Sequence, residues 1–318
     1  MNFVQGIFLQ VKKLATGSED LDLSASPFVS VADCHSCATP CREEDHPHYP
    51  SHLKINQDRP LLYSVKPYTR HILISTGQDD WESHIDRDKD SLAFHLSKAI
   101  DEGQKRLKDT DDRDPEKILV TNSSRKAENW EGPGWQVIIL PDQIIVNNVT
   151  PEQCNDFFEA FLRPAVGSIS FQGVTTTSTD HNQQGIEVEA GKTAFRALRW
   201  LPKAVIMICS HKRRDKRCGV TAPILRKEFM RVLRSKDLYG DCEGDVEIWM
   251  VSHIGGHKFA GNVIVHKNEG MAVWYGRVEP CHSQAIVEAT IERGEIIREL
   301  YRGSMNGSFD LQMKKTAW

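Results

Sequence analysis

The sequence predicts an α/β protein made of two β-α-β-β-β-α units in tandem. Three observations predict it. The same order of apolar runs occurs twice, a polar stretch separates the two occurrences, and 39% hydrophobic residues over 318 positions suffice for two cores.

Residues 1–54 are polar and read as a flexible arm carrying Cys34, Cys37 and Cys41 in CHSCATPC. The first unit is expected over 55–165. Its first strand is RHILIS, at 70–75. A helix follows over 91–107, with Ser91 as N-cap and Leu92, Leu96, Ile100 and Leu107 on one face. Strands come next at KILVT (117–121), WQVIIL (135–140) and QIIVNN (143–148), with Pro141 and Asp142 turning between the last two. A second helix starts at Thr150. Thr150 and Gln153 form a capping box, Pro151 takes the first helical position, and Cys154, Phe157, Phe158, Phe161 and Leu162 give the apolar stripe.

Residues 166–195 read as a linker, because VTTTSTDHNQQG is polar and has no apolar period. The second unit, 196–303, repeats the order. AVIMIC (204–209) is a strand, and 221–235 a helix with Leu225, Phe229, Val232 and Leu233 inward. VEIWMVS (246–252), NVIVH (262–266) and MAVWYGRV (271–278) are strands. A last helix covers 283–293, with Ser283 as N-cap and Gly294 as its stop, and 304–318 form a tail.

Composition narrows the function. A formal net charge of −4 gives no reason to expect nucleic acid binding, and no run is apolar and long enough to span a bilayer. Residues 1–17 lack the apolar core and cleavage site of a secretory signal. The expected compartment is the mitochondrial matrix or the cytosol. Eight cysteines are too few for a disulfide scaffold in a chain this long, so clustered cysteines point to metal or redox chemistry.

The candidate site lies in the second unit. Cys209 and Cys218 frame the loop CSHKRRDKRC, and His253 and His257 follow in HIGGH. Two thiolates and two imidazoles suit an iron–sulfur cluster or a structural zinc ion, and spacing alone leaves both open. Gly255 and Gly256 argue against a helix between the histidines. Cys209 is expected at the C-terminal end of a strand, where ligands gather in α/β folds, and Cys218 just before a helix, whose N-terminus favours a thiolate. His253 is expected at the end of the next strand. Lys212, Arg213, Arg214, Lys216 and Arg217 stand against Asp215 alone in the intervening loop. They suggest either a surface that steers an acidic partner or a solvated loop. His211 reads as a supporting or solvated residue rather than a fifth ligand.

Cys-x8-Cys, 34 further residues and His-x-Gly-Gly-His, together with ICSHKRRDKRCG, SHIGGHKFAGNVIV, VWYGRV and EIIRELYRGSMN, resemble the thioredoxin-like ferredoxins of the sucrase/ferredoxin-like family. The resemblance covers roughly 196–306 and is loose in the first unit; EIIRELYRGSMN leans toward a mitochondrial-type member. It implies a thioredoxin-like fold and a [2Fe–2S] cluster, with Cys209 and Cys218 on one iron and His253 and His257 on the other. It also implies a one-electron carrier in redox homeostasis, rather than an enzyme with its own organic substrate, working with a protein electron donor or acceptor. Two other classes stay open: a zinc-stabilised interaction module, and a thiol–disulfide oxidoreductase using Cys34, Cys37 or Cys41. Trp318 at the end of KKTAW resembles the signal read by the cytosolic iron–sulfur targeting and assembly machinery, which would favour a cytosolic protein, although Thr316 and Ala317 depart from its usual pattern. No phosphate-binding glycine loop and no flavin or nicotinamide fingerprint is present.

Overall fold

The computed structural model describes residues 28–29, 42 and 45–305, apart from 63, 66–67, 112–116, 128–131, 166–168, 170–184, 201, 241–243 and 268–270. The chain is a mixed α/β protein with one large, mostly antiparallel sheet and few helices. Its elements in order are β1 (Phe28–Val29), β2 (Arg70–Ser75), α1 (Leu92–Asp111), β3 (Ile118–Ser123), β4 (Trp135–Leu140), β5 (Ile144–Val149) and α2 (Cys154–Phe157), which runs on as a π-helical turn through Phe158–Leu162. Then come β6 (Gly185–Ala190), β7 (Thr193–Arg199), β8 (Ala204–Cys209), α3 (Lys216–Ser235), β9 (Val246–Val251), β10 (Val263–Lys267) and β11 (Met271–Tyr275). The chain closes with α4 (His282–Ala285, continued by a π-helical turn over Ile286–Glu292), β12 (Ile296–Ile297) and β13 (Tyr301–Ser304).

Eleven strands form the sheet in the order β13-β11-β10-β8-β9-β3-β2-β4-β5-β7-β6. Both halves pair alike. The first strand of each runs parallel to the strand after its helix (β2 with β3, β8 with β9) and antiparallel to the third (β4, β10), which pairs antiparallel with the fourth (β5, β11). The halves meet where β3 lies antiparallel to β9, with Ser123 opposite Val251. Serine side chains extend this short seam: Asn122 N–H donates to Ser252 Oγ at 3.0 Å and Met250 N–H to Ser124 Oγ at 2.9 Å.

Period-two alternation sorts the core. Ile72 and Ile74 of β2 pack with α1 and α2, and Ile206 and Ile208 of β8 pack with α3 and α4. The residues between them, Leu73 and Met207, face the other way, into a third cluster to which both halves contribute, with Ile138, Val205, Ile264 and Trp274. Trp274 Nε1 donates to Tyr68 Oη at 2.9 Å across it. The helix-free face of the sheet is thus closed on itself. His71 and His266 are buried among these side chains, and burial lowers them to about 3 and about 4.

Several local expectations need correction. Part of the expected linker is the hairpin β6–β7. Ile186, Val188 and Ala190 alternate along β6, Phe195 and Ala197 of β7 are buried, and Thr193 Oγ1 donates to Asp156 Oδ2 of α2 at 2.7 Å. The polar centre of that stretch, 170–184, lies outside the described residues. Helix α3 begins at Lys216 rather than 221, because Asp215 caps it by accepting the Arg217 N–H at 2.9 Å. Helix α4 begins at His282, so Ser283 is a buried first-turn residue and not the cap; Gly294 stops the helix at φ +71°. The arm is anchored at its described points: Phe28–Val29 pairs in parallel with Ile296–Ile297, and His46 Nδ1 lies 2.9 Å from Glu228 Oε1 with both side chains buried. Ser91 does cap α1, its Oγ accepting the Phe94 N–H at 3.2 Å. No described helix is long and apolar enough to cross a membrane.

Candidate metal centre

Strand β8 ends at Cys209, whose N–H donates to Asn262 O at 3.0 Å. Cys218 sits in the first turn of α3, and both thiols are buried, each 1% exposed. Beyond β9 the chain turns through His253. Gly255 and Gly256 follow at φ +84° and +70°, the left-handed region that glycine enters at little cost. His257 then opens a 3-10 turn ending at Phe259. As the glycines predicted, no helix links the two histidines. Their rings come together instead, 5.2 Å apart and tilted by 38°.

Both imidazoles are partly exposed, yet the Nδ1 atom of each is buried without a hydrogen-bond partner. Buried polar atoms are rarely left unpaired, so two such nitrogens beside two buried thiols make a donor set suited to metal. The thiols share their protons unequally. Cys209 is pushed well below the ordinary thiol range, first by the hydrogen bond from Cys218, then by His253 and the Ile254 N–H, against the cost of burial. Cys218 is pushed up by Cys209 and by burial. The helix terminus at Cys218 is thus outweighed by its neighbour. Burial also lowers His257, with Asp215 opposing. Among the described residues no three His, Cys, Asp or Glu side chains group closely enough to hold one metal ion.

The surroundings hold this arrangement. His211 is buried and acts as a support: its Nε2–H donates to Trp81 O at 3.0 Å and Glu82 O at 2.9 Å, so its Nδ1 is free to accept the His253 N–H at 3.0 Å. The basic loop meets an acidic run from the first half. Arg213 pairs with Glu82 and Asp80, Arg214 bonds the His84 ring, and Arg217 forks onto Asp215. Within the loop, Arg213 and Arg217 are therefore matched by carboxylates of the chain itself. A cavity of about 330 Å³ between the halves is lined by His84, Arg214, His211 and His253, and opens the imidazole side of the centre.

Sequence reasoning missed Arg302. This β13 residue is 2% exposed, and its guanidinium reaches the HIGGH turn, donating to Gly255 O at 3.3 Å and Asn262 Oδ1 at 2.8 Å. A Cβ on Gly256 would lie 2.2 Å from Arg302 Nη2, so the arginine fills the space that the glycine leaves. No spacing signal marks an arginine that reaches the site only through tertiary closure. Cys34, Cys37, Cys41 and Trp318 lie outside the described residues.

A family model described as sucrase/ferredoxin-like matches residues 61–303. The chain is 28% identical, over 90% of its length and 98% of the relative's, to altered inheritance of mitochondria protein 32 of Meyerozyma guilliermondii. It is 30% identical, over 89% of its length and 92% of the relative's, to actin patches distal protein 1 of Saccharomyces cerevisiae. Identity reaches 52% over a shorter stretch, 32% of this chain and 35% of the relative's, with altered inheritance of mitochondria protein 32 of Clavispora lusitaniae. No solved structure matches the chain.

Proposed function

This chain belongs to the sucrase/ferredoxin-like family, and from that premise we propose that it is a one-electron carrier whose [2Fe–2S] cluster is held by Cys209 and Cys218 on one iron and His253 and His257 on the other. When bound, such a group supplies a one-electron couple, at a higher potential than an all-cysteine cluster because two imidazoles replace two thiolates. The observation that carries the reading is the pair of buried, partnerless Nδ1 atoms beside two buried thiols. The chain's own residues then divide the work. The thiols anchor the site in the apolar interior, His211 fixes the His253 loop, and Gly255 and Gly256 let the backbone turn back so that His257 joins His253.

Both imidazoles are partly exposed and His253 lines the cavity, so a protein electron donor or acceptor would approach from the histidine side. The shared strand order of the two halves supports reading them as tandem thioredoxin-like units, 55–165 and 196–303, the second being the ferredoxin domain. Names given to relatives for mitochondrial inheritance support a mitochondrial setting. Redox homeostasis is the proposed context.

Anaerobic purification, visible absorption and EPR after dithionite reduction test the reading. A red-brown protein is expected, with a rhombic signal whose average g falls below that of all-cysteine ferredoxins. A colourless protein carrying stoichiometric zinc would replace the carrier with a zinc-stabilised interaction module.

A further inference from the structure

Arg302 is among the largest fully buried side chains, yet among the described residues no carboxylate faces it. Its hydrogen bonds all go to neutral acceptors: Nε to Ser64 Oγ at 3.0 Å, Nη1 to Gly255 O and to Asn262 Oδ1. The remaining contacts are aromatic faces, Phe259 at 5.4 Å and Trp274 at 5.8 Å from the guanidinium carbon. A buried charge without an opposite charge is costly, and folds keep one where something compensates it. What lies beside the guanidinium is the turn between His253 and His257: it donates to Gly255 O and fills the space left open by Gly256.

We propose that Arg302 is the buried counter-charge of the metal centre, a positioning residue whose guanidinium favours the reduced state and raises the midpoint potential. The inference rests on the cluster reading above. Two thiolates balance the positive core of the oxidised group, and one electron accepted from a one-electron reductant leaves one net negative charge. A fixed cation nearby stabilises that charge most strongly where water is excluded. Gly256 makes the approach possible, since any side chain there would displace the guanidinium.

The test is EPR-monitored potentiometry on the full-length protein and three variants, with dithionite as reductant. Arg302→Gln is expected to shift the one-electron equilibrium about tenfold toward the oxidised form, about 59 mV lower. Arg302→Lys keeps the charge and is expected to stay within about threefold of wild type, about half that shift. Asn262→Asp puts a carboxylate on the guanidinium without removing it and is expected to lower the potential as Arg302→Gln does; it carries the test if Arg302→Gln does not fold. Arg302→Gln and Asn262→Asp variants that retain the wild-type EPR signal and potential overturn the proposal. So does an Arg302→Lys potential as low as that of Arg302→Gln, which would make the effect one of geometry. A wild type without the rhombic signal removes the cluster reading itself, and the inference with it.

Discussion

His257 illustrates how a single residue is set by its neighbours. Two left-handed glycines bring it back toward His253, and burial disfavours its protonation. Removing the ligand and exchanging it should therefore give different results. His257→Ala is expected to abolish the visible chromophore. His257→Cys is expected to keep one and to lower the potential, because a thiolate adds negative charge where a neutral imidazole stood; an unchanged potential by the same potentiometry would contradict His257 as a ligand. At this scale the sequence was informative. Spacing singled out Cys209, Cys218, His253 and His257 as candidates, and the glycines between the histidines correctly argued against a helix there. Arg302 was not legible. It is enclosed by Ser64, Asn262 and Trp274, none of which lies in its own segment of the chain.

Elements were legible where hydrophobic periodicity dominates and obscure where a polar residue sets the boundary. Strands β2, β4 and β8 fall where RHILIS, WQVIIL and AVIMIC placed them. Helix α3 begins five residues early, because its first turn is polar and its cap, Asp215, sits inside a basic loop. Asp215 accepts both the Arg217 N–H and the Arg217 side chain, which holds its carboxyl below the usual carboxylate range. Asp215→Ala should cost about 1 kcal/mol of stability, the ordinary worth of an N-cap. Urea denaturation would show it as a lower midpoint at unchanged slope; an unchanged midpoint would mean that Asp215 is not holding the helix start. The hairpin β6–β7 was hidden for a related reason. Its inward residues are few and alternate with Glu187, Glu189 and Arg196, so the polarity of the neighbouring stretch concealed a strand pair.

For the whole molecule, the repeat of one strand order was legible and the joining of the halves was not. The β3–β9 seam is short and is completed by serine hydroxyls, which carry no pairing signal in sequence. Closure of the helix-free face has a consequence in acid. His71 and His266 are neutral in the fold, lowered to about 3 and about 4, whereas an exposed histidine titrates near 6.5. Below pH 6.5 the unfolded chain binds protons that the folded chain refuses, so their contribution is complete above 6.5 and is lost as pH falls toward the folded values. At pH 5 each ring should cost about 2 kcal/mol. A urea midpoint that falls between pH 7 and pH 5, before most carboxylates titrate, is the expected result; an equal midpoint at both would mean that water or local opening reaches these rings. Finally, the parallel pairing of Phe28–Val29 with Ile296–Ile297 ties an early stretch of the chain to a late one. On the ribosome, that early stretch emerges long before its partner exists. Nascent protein must therefore hold it unpaired until that partner has been made, which makes this strand a candidate for chaperone attention and sets its docking after the sheet between the two has been translated.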